Sequence, residues 1–352
     1  MKIKRIGVDI AKNVFHGHGV DRHESLIWQR KLKRDEWISA VCEKVEPGAQ
    51  IAMEACATSH HWARELQRHG YQVKLIAAQF VKPFVKSNKN DRNDAEAISE
   101  AIKRPSMRFV SVRFVSVKSV AQQDVQAMHR ILSELVSHRT AKANQIRGLM
   151  SEYGIVAPVG INQLRKAIPC WLEDAENNLS GLMRELLHDL WNDLIRFDER
   201  VEKLNNQIAL SVKADPIAQK LSTLKGVGPL GCSAMAVALG DGSAYKNSRQ
   251  FAASLGLAPR QHSTGGKERL LGISKRGDSY LRTLLVHGAR TVIRHAKNKN
   301  DPISNWINDM LERKHINVVA IALANKTARI AWALIAKERD FDPALAAAPS
   351  AH

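Results

Sequence analysis

Two short apolar runs near the start of this chain each end on a carboxylate, and that recurrence limits what the N-terminal part can fold into. Asp9 closes the run in KRIGVDIAK, where Ile3, Ile6 and Val8 have strand character, and Glu54 closes Ile51, Ala52 and Met53 in QIAMEACATSHHW. Asp91 and Asp94 follow in KSNKNDRNDAEAI, at the mouth of an amphipathic helix, spaced so that both can face one side of it. Hard oxygen ligands on neighbouring strand ends and a nearby helix suit Mg²⁺, and paired Mg²⁺ is the usual device for phosphoryl transfer. Carboxylates buried in a basic chain are costly unless a cation sits among them. The four acids are therefore the candidate ligands of one or two Mg²⁺ ions, with Mn²⁺ as the alternative.

The chain as a whole is strongly basic. A formal net charge of +18 over 352 residues, carried by lysines and arginines on helical stretches throughout, points to a polyanionic partner and a broad binding surface. A ribosome-associated or merely soluble basic protein is the competing reading of charge alone. A hydrophobic fraction of 44% is ample for real cores, and the length fits two domains with a helical insert. Cys42, Cys56, Cys170 and Cys232 have no CxxC spacing and read as small core residues in a reducing compartment. MKIKRIGVDI lacks the apolar core of a signal peptide, and no stretch is read as approaching the apolar length that crosses a bilayer. A cytoplasmic bacterial protein acting at the nucleoid, with no membrane partner, is expected.

The first hundred or so residues alternate strand and helix. KIKRIGVDI, VFHGHGV and SLIWQRKL read as a meander, followed by a helix from Asp35 to Val45 with Trp37, Ile38 and Val41 on its inner face. QIAMEA returns as a strand, His60 to His69 as a helix ended by Gly70, and YQVKLIAA as another strand. A three-strand meander followed by β-α-β is the order of an RNase H-like fold. RFVSVRFVSV, residues 108–117, is a tandem five-residue copy in a connector or edge strand, with no catalytic content. A long helix is predicted from Val120 to about Tyr153, and Gly154 to Pro158 break it. A second helical stretch runs from about Asn178 to Val212, with Leu182, Leu186, Leu190, Leu194, Phe197, Val201, Leu204, Ile208 and Val212 forming a seam for a coiled coil or helical hairpin. Packing within one chain and dimerisation both satisfy that seam.

From Asp215 the texture changes. STLKGVGPLGCSAMAVAL resembles a helix-hairpin-helix, whose turn at Gly226 and Gly228 would let backbone amides approach a phosphate. A Gly-rich loop follows, with Ser263 and Thr264 beside Lys267, Arg269, Lys275 and Arg276, then a helix carrying Arg282, Arg290 and Arg294. A hydroxyl there could meet a phosphate; an ordinary polar loop is the plainer reading. The last helices, near Ile316 to Ala336, look like packing. His60 and His61 read as exposed residues of a helix start, His262 as unrelated to Ser263 in space, Asp278 as the cap of a helix starting at Ser279, and Glu100 as solvated.

Taken in order, GVDIAK, the Glu54 segment, KNDRNDAEAI, LKGVGPL, FAASLGLAPRQHSTGG and GISKRGDSYLR resemble the IS110 family of transposases, most closely its IS1111 subgroup, over nearly the whole chain. The resemblance implies an α/β plus α architecture. Residues 1–110 would be a RuvC-like, RNase H-type catalytic domain whose DEDD tetrad maps onto Asp9, Glu54, Asp91 and Asp94. Residues 111–214 would be a helical, coiled-coil assembly region, 215–345 a mainly α C-terminal transposase domain, and 346–352 a tail. It further implies a nucleophilic serine that links transiently to DNA. Aligned from GLAPR, that serine falls on Thr264; aligned from SKRGD, it falls on Ser263, the less hindered primary hydroxyl and our choice.

The resemblance also implies a structured RNA, encoded by the element, that pairs with donor and target DNA. Base pairing would then supply sequence choice while the basic protein holds backbones. A homo-oligomer, dimer or tetramer, with the serine supplied to the acids by a neighbouring subunit, is the assembly implied. Lys267, Arg269, Lys275, Arg276 and Arg282, with Gly226 and Gly228, are the expected nucleic-acid contacts. Two alternatives stand beside this: a RuvC-like structure-selective nuclease using the acids with water, and a non-catalytic basic nucleic-acid-binding protein whose acids only form salt bridges.

Overall fold

The computed structural model describes residues 2–85, 90–103, 114–265, 267 and 269–342. Most of the tandem repeat, residues 108–113, lies outside the described residues, as does the expected tail, 346–352. The chain forms two compact units, each assembled from separate stretches: residues 1–122, 239–254 and 328–339 in one, and 123–238, 255–327 and 340–352 in the other. The units interleave along the chain.

The first unit is built on a six-stranded mixed sheet. Its strands are β1 (Arg5–Ile10), β2 (Val14–Val20), β3 (Leu26–Lys33), β4 (Gln50–Glu54), β5 (Gln72–Ile76) and β6 (Phe114–Val115), in the order β3-β2-β1-β4-β5-β6. β1, β4 and β5 are parallel; β2, β3 and β6 are antiparallel to their neighbours. Strand alternation divides the residues between two faces. Ile6, Val8, Phe15, Ile51, Met53 and Leu75 join one core with Trp37, Val41, Trp62 and Leu66. These last four come from α1 (Trp37–Lys44) and α2 (Ser59–Arg68), the crossovers that make β1, β4 and β5 parallel.

On the opposite face lie Ala52 and Ile76, packed with Val81 of α3 (Ala78–Val81) and with Ala97, Ile98, Ala101 and Ile102 of α4 (Asp91–Lys103). α4 comes closest at Gly7: a Cβ there would stand 2.2 Å from the Ala95 carbonyl oxygen and 2.4 Å from the Ser99 nitrogen. Helix and strand backbones meet at that point because glycine leaves the space.

The second unit is mainly helical. α5 (Val120–Glu152) and α7 (Gly181–Ala214) pack on each other within the chain, Leu132 and Leu135 with Val201 and Ile208, and Ala143, Ile146 and Met150 with Met183, Leu187 and Leu194. The pairing runs antiparallel, early α5 against late α7. Its register differs from the expected one at the start of α7: Leu182 and Leu186 are exposed, and Met183 and Leu187 take the buried positions. α6 (Ile161–Glu173), which carries Pro169 inside it, closes the far end through Leu164 and Ile168. Arg139 and Arg165 both pair with Asp198.

The remaining elements are α8 (Pro216–Leu221), α9 (Pro229–Leu239), α10 (Ser248–Ser254), the hairpin β7 (Pro259–Gln261) and β8 (Leu270–Ile273), α11 (Ser279–Ala296), α12 (Pro302–Leu311) and α13 (Ile316–Ala336). Buried His129 of α5 joins Tyr280 Oη of α11 at 2.9 Å and Ser233 Oγ of α9 at 3.0 Å, and burial pushes its pKa down. Two expectations need correction. α13 is long and apolar enough, by length and composition, to cross a membrane, contrary to the sequence reading; half of its most apolar stretch is buried inside the protein, as in a core helix. Cys42 and Cys170 are exposed and only Cys232 is a core residue, because the first two sit off the apolar faces of α1 and α6; all four cysteines are free.

Candidate functional site

The strand alternation that buries Ile6, Val8, Ile51 and Met53 turns Gly7, Asp9, Ala52 and Glu54 toward α4. The parallel register pairs Val8 with Met53, so Asp9 and Glu54 emerge side by side at the same strand ends. α4 brings Asp91 and Asp94 in its first turn. Asn90 holds that turn, its Oδ1 accepting from Arg92 N at 2.7 Å and Asn93 N at 3.4 Å. Carboxylates in a first turn also match the positive end of the helix dipole.

The electrostatics record how near these groups are. Asp9 is pushed up from 3.8 to about 6, first by burial and then by Asp94, Asp91 and Glu54 in turn, against one lowering contact from Ile10 N–H. Cys56, just past Glu54, is raised by burial and then by Glu54 and Asp9. Each of the other three expected acids thus acts on the charge of Asp9, and Asp91 comes within metal-ligand reach of it. Such crowding disfavours ionisation unless a cation is present.

One member of the cluster escaped sequence reasoning. His16 is the register partner of Asp9 across the β1–β2 ladder, so the two side chains share a face. Its Nδ1 lies 3.8 Å from Asp91 Oδ2, and the ligand atoms of Asp9, His16 and Asp91 fall within 4.8 Å of one another. That Nδ1 is buried and has no hydrogen-bond partner among the described residues. The signal was present as the first of the two histidines of VFHGHGV, but only a fixed hairpin register turns it toward Asp9.

The discounted residues behave largely as expected. His61 is exposed, while His60 is half-buried and accepts from Lys118 N at 3.2 Å. Asp278 caps α11, accepting from Leu281 N at 2.9 Å. Glu100 is half-buried on α4 rather than fully solvated.

The hydroxyl pair lies in the second unit, on the turn of the β7–β8 hairpin. Ser263 and Thr264 are both exposed; Gln261 Nε2 donates to Ser263 Oγ at 3.0 Å, and Thr264 forms a bridge with Lys267. Lys267, Arg269, Lys275 and Arg276 are exposed along the same hairpin and its exit. Arg282 differs: it is half-buried and donates through NH1 to the Leu255 carbonyl at 2.8 Å. Gly226 is also committed locally, with φ of +78°, and a Cβ there would stand 2.7 Å from the Gly288 carbonyl oxygen of α11. Gly228 faces open space, just before the start of α9.

Known proteins align with this chain along both units. Residues 6–155 match the transposase family DEDD_Tnp_IS110, and residues 218–303 match the family described as Transposase IS116/IS110/IS902. The "Probable family 20 transposase" of Pseudomonas aeruginosa is 49% identical, over 97% of this chain and 100% of its own length. The transposase for insertion sequence element IS1111A of Coxiella burnetii is 43% identical, over 96% of this chain and 91% of its own. The transposase for insertion sequence element IS1328 of Yersinia enterocolitica is 42% identical, over 93% and 95%. At these identities and near-complete coverage, the chain belongs to the IS116/IS110/IS902 family of insertion-sequence transposases, enzymes that recombine DNA.

Proposed function

We propose that this transposase cleaves and exchanges DNA strands with a Mg²⁺-dependent acidic tetrad, Asp9, Glu54, Asp91 and Asp94, and a serine nucleophile, Ser263. The convergence of carboxylates from β1, β4 and α4 on one face of the sheet carries the reading. The strand order, a meander followed by parallel crossover strands, supports an RNase H-like catalytic domain. When bound, a divalent cation would neutralise charge on the scissile phosphate and stabilise the charge that develops in the displacement.

The residues of the chain divide the work. Asp9 and Glu54, rooted in adjacent strands, give the site its rigid floor, and Asp91 and Asp94 cover it from the helix. The Ser263 hydroxyl attacks phosphorus: an Oγ–P bond forms, the bond from phosphorus to the leaving deoxyribose oxygen breaks, and the serine proton is given up as that oxygen gains one. The phosphoserine ester preserves the energy of the broken bond, so a hydroxyl from another strand can reverse the step and free the serine. Lys267, Arg269, Lys275 and Arg276 hold flanking phosphates. Arg282 contributes by bracing Leu255, and Gly226 and Gly228 shape the turn before α9. The segments 1–110, 111–214 and 215–345 serve as catalytic, assembly and transposase regions, with α7 as the assembly element of a homo-oligomer. A structured RNA encoded by the element supplies target choice, which the net charge of +18 accommodates. The enzyme acts in the cytoplasm at the nucleoid.

A denaturing gel of end-labelled element DNA incubated with protein, Mg²⁺ and the RNA transcribed beside the gene tests the chemistry. A protein-linked DNA band is expected from wild type and should vanish in Ser263→Ala. If it persists there and vanishes in Thr264→Ala, Thr264 is the nucleophile. Cleavage without any linked band would favour hydrolysis by water.

A further inference from the structure

We propose that His16 is a fifth ligand of the metal site, giving Nδ1 to the cation held by Asp9 and Asp91. The proposal rests on the reading of the four acids as a metal site. Three independent features of the fold lead to it. The β1–β2 ladder pairs His16 with Asp9 residue for residue, so the imidazole leaves the sheet on the face that α4 covers. The His16 side chain is only 18% exposed, and its Nδ1 is sealed from solvent with no hydrogen-bond partner among the described residues. A buried polar atom in that condition needs an explanation, and a role as a metal ligand is one of the few available. Finally, Nδ1 stands 3.8 Å from Asp91 Oδ2, too far for a hydrogen bond, while the ligand atoms of Asp9, His16 and Asp91 stay within 4.8 Å. A shared cation accounts for all three groups standing close without touching.

The chemistry has a consequence for metal choice. Carboxylates alone suit Mg²⁺, whereas an imidazole nitrogen is a softer ligand that Mg²⁺ rarely takes and a transition metal accepts. His16 therefore tilts the site toward Mn²⁺ over Mg²⁺, and its removal should narrow that difference.

The test uses untagged full-length protein and Mn²⁺ itself. Pulsed EPR on the bound ion should show directly coordinated ¹⁴N in wild type, and the coupling should disappear in His16→Ala and His16→Gln. Calorimetry should show Mn²⁺ affinity falling by roughly tenfold or more in His16→Ala, with a smaller loss for Mg²⁺. Mn²⁺ bound in an Asp9-dependent way but without nitrogen coupling would overturn the proposal, and the wild-type spectrum alone decides this even if a variant folds poorly. Mn²⁺ binding indifferent to Asp9→Asn would instead overturn the reading of the acids, and this inference with it.

Discussion

Gly7 and Ser99 meet backbone to backbone: a methyl group on Gly7 would lie 2.4 Å from the Ser99 nitrogen and 2.9 Å from its Cα. Neither neighbour is a flexible side chain that can move aside. The contact sets the height of α4 above β1, and with it the distance from Asp91 and Asp94 to Asp9. Gly7→Ala should push the helix outward and destabilise the protein by about 1–3 kcal/mol, as overpacking does. It should also weaken divalent-ion binding although no ligand has been altered. Thermal melts with and without Mn²⁺ would show it: the stabilisation by metal seen in wild type should shrink in the variant.

Asp9 carries its own pH signature. Its pKa rises on folding from 3.8 to about 6, so between those values the folded chain binds a proton that the unfolded chain has released. Stability from this group is therefore greatest at low pH and is lost as pH rises through about 6. Above that pH the carboxylate works against the metal-free fold. Asp9→Asn should raise the melting temperature of metal-free protein at pH 7.5, and the advantage should shrink toward pH 5. Added Mn²⁺ should reverse the order, stabilising wild type and leaving the variant behind. A variant less stable than wild type without metal at pH 7.5 would contradict the charge crowding.

The two glycines that join α11 to the turn before α9 offer a folding control for any DNA-binding experiment. A Cβ on Gly288 would fall 1.9 Å from the Gly226 carbonyl oxygen, and Gly226 itself has a positive φ. Gly288→Ala and Gly226→Ala should each lower the melting temperature markedly, in the absence of any nucleic acid. Gly228→Ala, which meets open space, should melt like wild type, so any loss of DNA affinity in that variant reports on the interface rather than on the fold.

What the sequence displayed and what it hid follow from the range of the interactions involved. Asp9 and Glu54 were legible because each ends an apolar run, and a run that alternates across a sheet fixes which side its last residue faces. Asp91 and Asp94 were legible because three-residue spacing is a local property of a helix. His16 was hidden because its position depends on the hairpin register across Ala11–Asn13, which no local pattern states. The α7 seam misled at its start because Leu182 and Leu186 are offset by one residue from Met183 and Leu187, and the partner helix α5 decides between the two series. Gly226 reads in sequence as part of a phosphate-approaching turn, and its close contact with Gly288, sixty-two residues on, is a long-range property that no local pattern states. Arg282 looked like one more surface cation until the Leu255 carbonyl appeared beneath it.

Arg276 and Arg282, though near in sequence, should therefore fail in opposite ways. Arg276 is exposed, and its loss should leave the stability within about 0.5 kcal/mol of wild type, as for ordinary surface changes. If it holds a phosphate, Arg276→Ala should weaken binding to all DNA sequences alike and reduce the slope of log affinity against log salt by about one. Arg282 spends its guanidinium on the Leu255 carbonyl, next to Gly256, where a Cβ would stand 2.8 Å from its NH1. Arg282→Ala leaves that carbonyl without its charged donor, at a cost of about 1–3 kcal/mol. Its melting temperature should fall while the salt slope of the surviving folded protein stays that of wild type. Should Arg282→Ala instead melt normally and lose one unit of salt slope, the side chain leaves Leu255 to reach DNA, and its place among the nucleic-acid contacts would be direct.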